Sequence, residues 1–225
     1  RVKYDTSRLP DGIAQAESRP GIDGLGGVEF VAQPGDGFGT QDLLTSAHDE
    51  ALFEYYFTSQ LAIVTPSGVT TPVGKPAIFD MSMMSPDGRF VIVARTKRPF
   101  SRLIPAGGFP ADLELWNRKG EVAHTLGERP LAEGTPIGGV PTGPRYHSWN
   151  PVEPATVLWV EALDEGNPKK SVPARDKVMS LAAPFTGAPA EFIKTEWRTG
   201  GPRWTEKGVV LISESDRAPR MTRTW

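Results

Sequence analysis

The 225-residue sequence contains no cysteine, which excludes disulfide bonds and cysteine-based zinc sites. It has only three histidines, and no apolar run approaches the roughly 20 residues that a membrane-spanning helix needs. Neither sign of charge dominates, because 25 Lys and Arg stand against 27 Asp and Glu. We therefore expect no metal or cofactor, and neither nucleic acid nor a membrane as a partner.

No secretory leader is visible, and the chain does not begin with Met, so we expect a mature, cleaved or partial chain. The localisation stays unknown from the sequence. A soluble protein of the bacterial cytoplasm, of the periplasm or of a plastid fits equally well.

Glycine and proline are well represented, with 24 and 22 residues, and they separate short apolar runs. This spacing is typical of many short strands joined by turns. Residues 1–40 are rich in glycine and hold one strand-like run, Val28–Ala32, which predicts an extended lead-in with one strand. Residues 41–57 predict a helical turn that enters a strand at about Leu52, because Phe53, Tyr55 and Phe57 alternate.

The rest of the chain, within a predicted unit of residues 41–225, repeats a strand, turn and strand pattern. Equivalent turn positions, Ser85, Asn150 and Thr205, recur about every 60 residues, a period that suits four short strands with their loops. The sequence therefore predicts an all-β fold, a partial β-propeller of about three four-stranded antiparallel blades. We expect the last blade to be incomplete at Trp225, and its exposed edge to meet other protein.

The sequence offers no catalytic centre. A Gly-x-Ser-x-Gly elbow is absent, and adjacent residues such as His147 and Ser148 in an extended segment point to opposite faces. The acidic stretch Asp164–Asn167 lacks the alternating calcium-loop pattern and predicts a hairpin turn. Gly35–Gly39 lacks the strand, lysine and helix of a phosphate loop. We assign no catalytic residue and no metal ligand.

Tryptophan and arginine are the more informative residue types. Five tryptophans lie within or beside predicted strands, which favours a core between blades: Trp116, Trp149, Trp159, Trp204 and Trp225. Eight arginines lie in loops or at strand edges: Arg98, Arg102, Arg145, Arg175, Arg203, Arg217, Arg220 and Arg223. The simpler interpretation is a solvated rim with local ion pairs. The alternative is that one or two line a chamber and hold a substrate carboxylate.

Seven strings occur in one order: DEALFEYYFTSQLAIV (49–64), SPDGRFVIVARTKRPFS (85–101), FPADLELWNRKG (109–120), GPRYHSWNP (143–151), TVLWVEALDEGNP (156–168), RDKVMSLAAPF (175–185) and RMTRTW (220–225). This ordered set resembles the propeller portion of glutamyl endopeptidases, the chloroplast glutamyl peptidase-like branch of the prolyl oligopeptidase family of serine peptidases.

The resemblance implies a larger parent protein, in which a seven-bladed propeller caps a C-terminal α/β-hydrolase domain that holds the Ser-Asp-His triad. The propeller then gates peptide substrates for cleavage after glutamate, and its partners are the peptide and that hydrolase domain, in the same protein or another chain. A cationic pocket is implied as well. Arg98, Arg145 and Arg220 lie in the matching strings and are the candidate substrate-binding residues.

Two other interpretations remain open. The first is a stand-alone propeller that serves as a protein-binding scaffold. The second is a carbohydrate-active propeller, which requires a close pair of carboxylates, whereas Glu133, Glu161 and Asp176 belong to separate units.

Overall fold

The computed structural model describes residues 43–217 and 219–225, and within them the chain forms one α-helix and twelve strands. The elements are α1 (Ala47–Phe57), β1 (Thr58–Val64), β2 (Thr70–Met84), β3 (Phe90–Thr96), β4 (Ala111–Asn117), β5 (Val122–Arg129), β6 (Arg145–Trp149), β7 (Thr156–Ala162), β8 (Asp176–Ala182), β9 (Ala190–Thr195), β10 (Arg198–Trp204), β11 (Val210–Asp216) and β12 (Met221–Thr224). The predicted lead-in and its strand Val28–Ala32 lie outside the described residues. The helix α1 is too short to cross a membrane, and no other described helix could do so.

All strand pairs are antiparallel, and they form three sheets in chain order: β1 to β5, β6 to β9, and β10 to β12. The predicted all-β class is confirmed. The sheets have five, four and three strands among the described residues, where about three four-stranded blades with the last one incomplete were predicted.

The predicted repeat is present in the backbone. The turns at Ser85, Asn150 and Thr205 connect β2 to β3, β6 to β7 and β10 to β11, respectively, so that each sheet contains one of them. Backbone N–H groups donate across these turns, Ser85 to Phe90 O at 2.8 Å, Asn150 to Thr156 O at 2.8 Å and Thr205 to Val209 O at 2.9 Å. Equivalent positions in the sequence therefore have equivalent places in the three sheets.

The first sheet has a fifth strand because β2 is continuous over 15 residues, and it pairs with β1 through its first half and with β3 through its second half. Its pairing with β1 shifts register between Ser59 and Leu61, which accommodates the extra residues of β2. Gly74 lies in this irregular part with a φ of +68°, and a Cβ there would be 2.3 Å from the Trp116 ring. The backbone of β2 can therefore lie this close to the Trp116 ring only because residue 74 has no side chain.

The predicted change from helix to strand at Leu52 is wrong, because α1 continues to Phe57. A capping box starts the helix: Ser46 Oγ accepts from the Asp49 N–H at 3.1 Å, and Asp49 Oδ2 accepts from the Ser46 N–H at 3.0 Å. Phe53 packs against Phe57 one turn later and against Phe109 of the first sheet's loop. These aromatic contacts need helical spacing, and they override the alternation seen in the sequence.

The main core lies between the first and second sheets. Ile92 and Leu115 of the first sheet belong to one buried cluster with Trp149, Val157 and other apolar residues of the second. The Trp149 indole also donates to Met83 O at 2.9 Å, so its polar edge is satisfied across the boundary. Trp149 and Trp159 are buried in this core between the sheets, as predicted, whereas Trp116 is buried among residues of the first sheet alone. Trp204 is partly buried and Trp225 is 52% exposed.

The three equivalent turns lie side by side. The Asp87 N–H donates to Pro154 O at 3.0 Å, which joins the turn of the first sheet to that of the second. A Cβ at Gly208, in the turn of the third sheet, would be 3.3 Å from Val152 in the turn of the second. We call this side of the molecule, which carries the turns at Ser85, Asn150 and Thr205, the turn edge.

Candidate functional site

The side opposite the turn edge carries the three arginines predicted to bind substrate. In an antiparallel pair, the side opposite the connecting turn holds the start of the strand before that turn and the end of the strand after it. The turns of the turn edge connect β2 to β3, β6 to β7 and β10 to β11, so the ends of β3, β7 and β11 lie on the opposite side with the starts of β6 and β12. Arg98 follows the end of β3, Arg145 begins β6, and Arg220 immediately precedes β12. All three positions therefore lie on one side of the molecule, in three successive sheets, and we call this side the arginine edge.

Arg98 is held by the helix. Its Nη1 lies 3.0 Å from Glu50 Oε2, its Nη2 lies 2.8 Å from Glu54 Oε2, and its guanidinium stands 4.6 Å from the centroid of the Phe100 ring. The hydrogen bond to Glu54, opposed by burial and aided by Glu50, raises the pKa of Arg98. About half of the side chain is exposed, so these contacts fix the helix to the loop after β3 and still leave the cation at the surface.

Arg145 and Arg220 differ sharply in their surroundings. Arg145 is 10% exposed, and its Nη2 lies 2.6 Å from Asp176 Oδ1. None of its three side-chain nitrogens has an acceptor in good hydrogen-bond geometry among the described residues. Arg220 is exposed in the turn after β11, with a φ of +56°. The structure places the three arginines on one side of the molecule, in separate surroundings.

A buried ion cluster, not recognised in the sequence, joins the second and third sheets. Asp164 and Asp176 are both fully buried. Asp164 Oδ2 accepts from Arg175 Nη1 at 2.9 Å and from Arg198 Nη2 at 2.5 Å, and Asp176 Oδ1 accepts from Arg198 Nη1 at 2.8 Å. Asp176 Oδ2 also accepts from the backbone N–H of Thr199 at 2.9 Å. Burial raises the pKa of Asp164, but the bonds from Arg198 and Arg175 outweigh it and hold the pKa below its usual range.

The predicted turn at Asp164–Asn167 is confirmed, since the Asn167 N–H donates to Asp164 O at 3.1 Å and the Gly166 N–H donates to Asp164 Oδ1 at 3.0 Å. Its role is larger than predicted, because the second carboxylate oxygen of Asp164 binds the two arginines. Arg198 is 34 residues away in the chain. No local pattern could have indicated this contact.

A cleft opens on the arginine edge between the second and third sheets, with a volume of about 490 Å³. It is lined by Ile137, Gly138, Pro168, Arg175, Arg198, Ser215, Asp216 and Arg217. The lining holds three arginines and one aspartate, and two of the arginines, Arg175 and Arg198, are paired with buried aspartates behind them. The simpler interpretation of the arginines, local ion pairing, holds for Arg98, Arg102, Arg145, Arg175 and Arg223.

His147 is buried near the start of β6, and its Nε2 has no hydrogen-bond partner among the described residues. Burial, aided by the charge of Arg129, lowers the pKa of His147 to about 4. The imidazole is therefore neutral at pH 7. Nowhere in the described part of the chain do three or more His, Asp or Glu side chains come together as metal ligands.

The fold defines the class, an all-β chain of successive antiparallel sheets, and the loops of one side carry several arginines, most of them in ion pairs. Comparison with known proteins then gives the relationship. The chain is 39% identical over 189 residues to a probable chloroplastic glutamyl endopeptidase of Oryza sativa subsp. japonica, and 38% identical over 189 residues to that of Arabidopsis thaliana. Each match covers 82% of this chain and 20% of the relative.

The resemblance predicted from the ordered strings is thereby confirmed, and the chain is glutamyl endopeptidase-like. It spans about a fifth of the length of these curated relatives. No family model matches the chain, and no solved structure does.

Proposed function

We propose that this chain is part of the β-propeller of a serine peptidase of the prolyl oligopeptidase type, and that it admits and selects peptides for cleavage after glutamate. The observation that carries the proposal is the relationship to two probable glutamyl endopeptidases, of which the chain spans a fifth. In this proposal the Ser-Asp-His triad belongs to an α/β-hydrolase domain outside these 225 residues, and the chain alone hydrolyses nothing.

The arrangement of the sheets supports a propeller. A corresponding hairpin recurs in the three sheets, as β2–β3, β6–β7 and β10–β11, and its turns lie next to one another at the turn edge. They pack through large apolar side chains, as blades do when each covers a face of the next. Strand edges at β1 and β12 then meet neighbouring blades of the same ring.

The arginine edge supports selection of an acidic side chain. A guanidinium binds a carboxylate through two parallel N–H groups, which gives orientation as well as attraction. Arg220 is exposed, whereas the side-chain nitrogens of Arg145 are buried and its Nη2 lies against Asp176, so Arg220 is the more accessible of the two. Arg98 already binds Glu50 and Glu54, so a substrate glutamate there has to exchange with these carboxylates.

The test uses the full-length protein and two peptides that differ only by glutamate or glutamine at the cleaved position. We expect Arg220→Ala, and the triple change Arg98→Ala, Arg145→Ala and Arg220→Ala, to lower kcat/KM for the glutamate peptide about tenfold more than for the glutamine peptide. Arg89→Ala is the matched control, because Arg89 is an exposed arginine at the turn edge.

An unchanged preference for glutamate in the triple variant contradicts the role of these arginines. Hydrolysis of the peptide by the isolated 225-residue chain contradicts the assignment of the catalytic triad to a hydrolase domain outside this chain. A full-length protein without any peptidase activity favours the alternative, a propeller that acts as a protein-binding scaffold.

A further inference from the structure

The cleft between the second and third sheets is built from four separate segments of the chain. Pro168 and Arg175 come from the loop between β7 and β8, and Arg198 begins β10. Ser215 and Asp216 end β11, and Arg217 follows in the turn after it. The loop before β6 adds Ile137 and Gly138. The arginine side chains of the cleft are therefore positioned by the second and third sheets together.

Buried carboxylates hold two of the arginines from behind. Asp164 is fully buried and binds both Arg175 and Arg198, while Arg175 keeps 25% of its side chain exposed and Arg198 keeps 16%. Each guanidinium has five N–H donors, and those of Arg175 that are not given to Asp164 remain for a ligand in the cleft. Fixed arginines of this kind bind an anion with little loss of side-chain entropy.

The wall of the cleft is fixed by two glycines. The Val140 N–H donates to Gly166 O at 3.1 Å, so the loop before β6 lies directly on the Asp164 turn. A Cβ on Gly166 would be 2.0 Å from Val140 O, and a Cβ on Gly139 would be 2.5 Å from Gly166 O. Only glycine at both positions permits this approach, which sets Gly138 next to the Arg217 side chain.

We propose that this cleft is a binding site for an oxyanion, either a carboxylate or a phosphate. Arg175, Arg198 and Arg217 line the cleft with Asp216; the buried Asp164 and Asp176 pair with Arg175 and Arg198 from behind, and Arg217 is the exposed cation of the lining. The cleft volume of about 490 Å³ holds a small anion with its hydration, and the planar guanidinium groups suit oxygen pairs. Arg98, Arg145 and Arg220 of the proposed function do not line this cleft, although Arg145 shares Asp176 Oδ1 with Arg198. The test of the cleft measures binding and not peptide cleavage.

The experiment is calorimetric titration of the full-length protein with inorganic phosphate and, separately, with glutarate, at low ionic strength. We expect saturable binding of at least one anion, weakened about tenfold by Arg217→Gln, which removes one charged partner of the ligand. Arg217 is exposed, so this change leaves the buried ion cluster intact. The matched control is Arg203→Gln, which removes an exposed arginine of β10 that does not line the cleft and is expected to change affinity less than twofold.

The two anions distinguish the sources of the ligand. Binding of phosphate alone supports a site for a free inorganic anion, and binding of glutarate alone supports a site for an acidic side chain. The proposal is overturned if neither anion binds saturably, or if Arg203→Gln weakens binding as much as Arg217→Gln. A variant that loses its glutamate preference in the peptidase assay but binds the anion as before would show that substrate selection and anion binding in the cleft are independent.

Discussion

At the scale of single residues, His147 shows how burial changes chemistry. The sequence placed it beside Ser148 in an extended segment, and no pairing with a nucleophile was predicted. In the structure His147 is 7% exposed and lies near Arg129. Burial and the positive charge of Arg129 both oppose protonation of the ring. A histidine of this kind lowers the stability of the fold in acid.

His147 predicts a pH dependence of stability. The folded imidazole binds a proton only below about pH 4, whereas the unfolded one does so near 6.5. Between these values the unfolded state holds more protons, so the free energy of unfolding falls as the pH falls, by up to about 3 kcal/mol. We expect His147→Gln to remove this part of the slope, measured by urea unfolding of the full-length protein from pH 7 to pH 4.

The control for this experiment is His48→Gln, since His48 is exposed at the start of α1. Its slope should match that of the unchanged protein. Identical slopes in the His147→Gln variant and the unchanged protein would show that the buried imidazole does not limit stability in acid.

At the scale of elements, turns and strands were the most predictable features. Ser85-Pro86-Asp87-Gly88 determines a turn through its own side chains and φ preferences, and Asp87 Oδ1 accepts from the Arg89 N–H at 3.0 Å as expected for such a turn. Residue types therefore fixed the hairpin locally. The continuity of β2 was not predictable, because its proline and glycine residues normally end strands and only pairing with β1 keeps them in one.

The helix α1 gives a prediction at this scale. A helical turn was predicted within residues 41–57, and in the structure the acidic residues Asp49 and Glu50 occupy the first turn of α1. Ser46→Ala removes one side of the capping box and is expected to cost about 1 kcal/mol of helix stability. Hydrogen exchange of the α1 amides in the full-length protein should accelerate about fivefold, whereas Ser59→Ala, at an exposed position of β1, should leave it unchanged.

Equal exchange rates in the Ser46→Ala variant and the unchanged protein would mean that tertiary contacts alone hold the helix. Those contacts are the packing of Phe53 against Phe109 and the ion pairs from Arg98 to Glu50 and Glu54. The experiment therefore separates capping from packing.

At the scale of the whole molecule, the second and third sheets depend on charges that neither sheet can neutralise alone. Asp164 and Asp176 belong to the second sheet and its loop, and Arg198 begins the third. We expect Asp164→Asn to cost about 3 kcal/mol, because it leaves Arg175 and part of Arg198 without their buried counter-charge. Urea unfolding of the full-length protein measures this loss.

Glu165→Gln is the matched control for Asp164→Asn, since it is the next residue of the same turn and its side chain is 78% exposed. A change below 0.5 kcal/mol is expected there. An Asp164→Asn variant as stable as this control would show that the ion cluster contributes nothing net to the joining of the sheets.

The sequence by itself determined the all-β class, the recurring turns and the relationship to glutamyl endopeptidases, because each rests on local residue chemistry or on the order of strings along the chain. Only the tertiary structure decided that Asp164 meets Arg198, that Gly139 and Gly166 bring two loops together, and that three distant arginines share one side. These features depend on contacts between residues far apart in the chain, and such contacts follow from how the sheets pack, which no local pattern encodes.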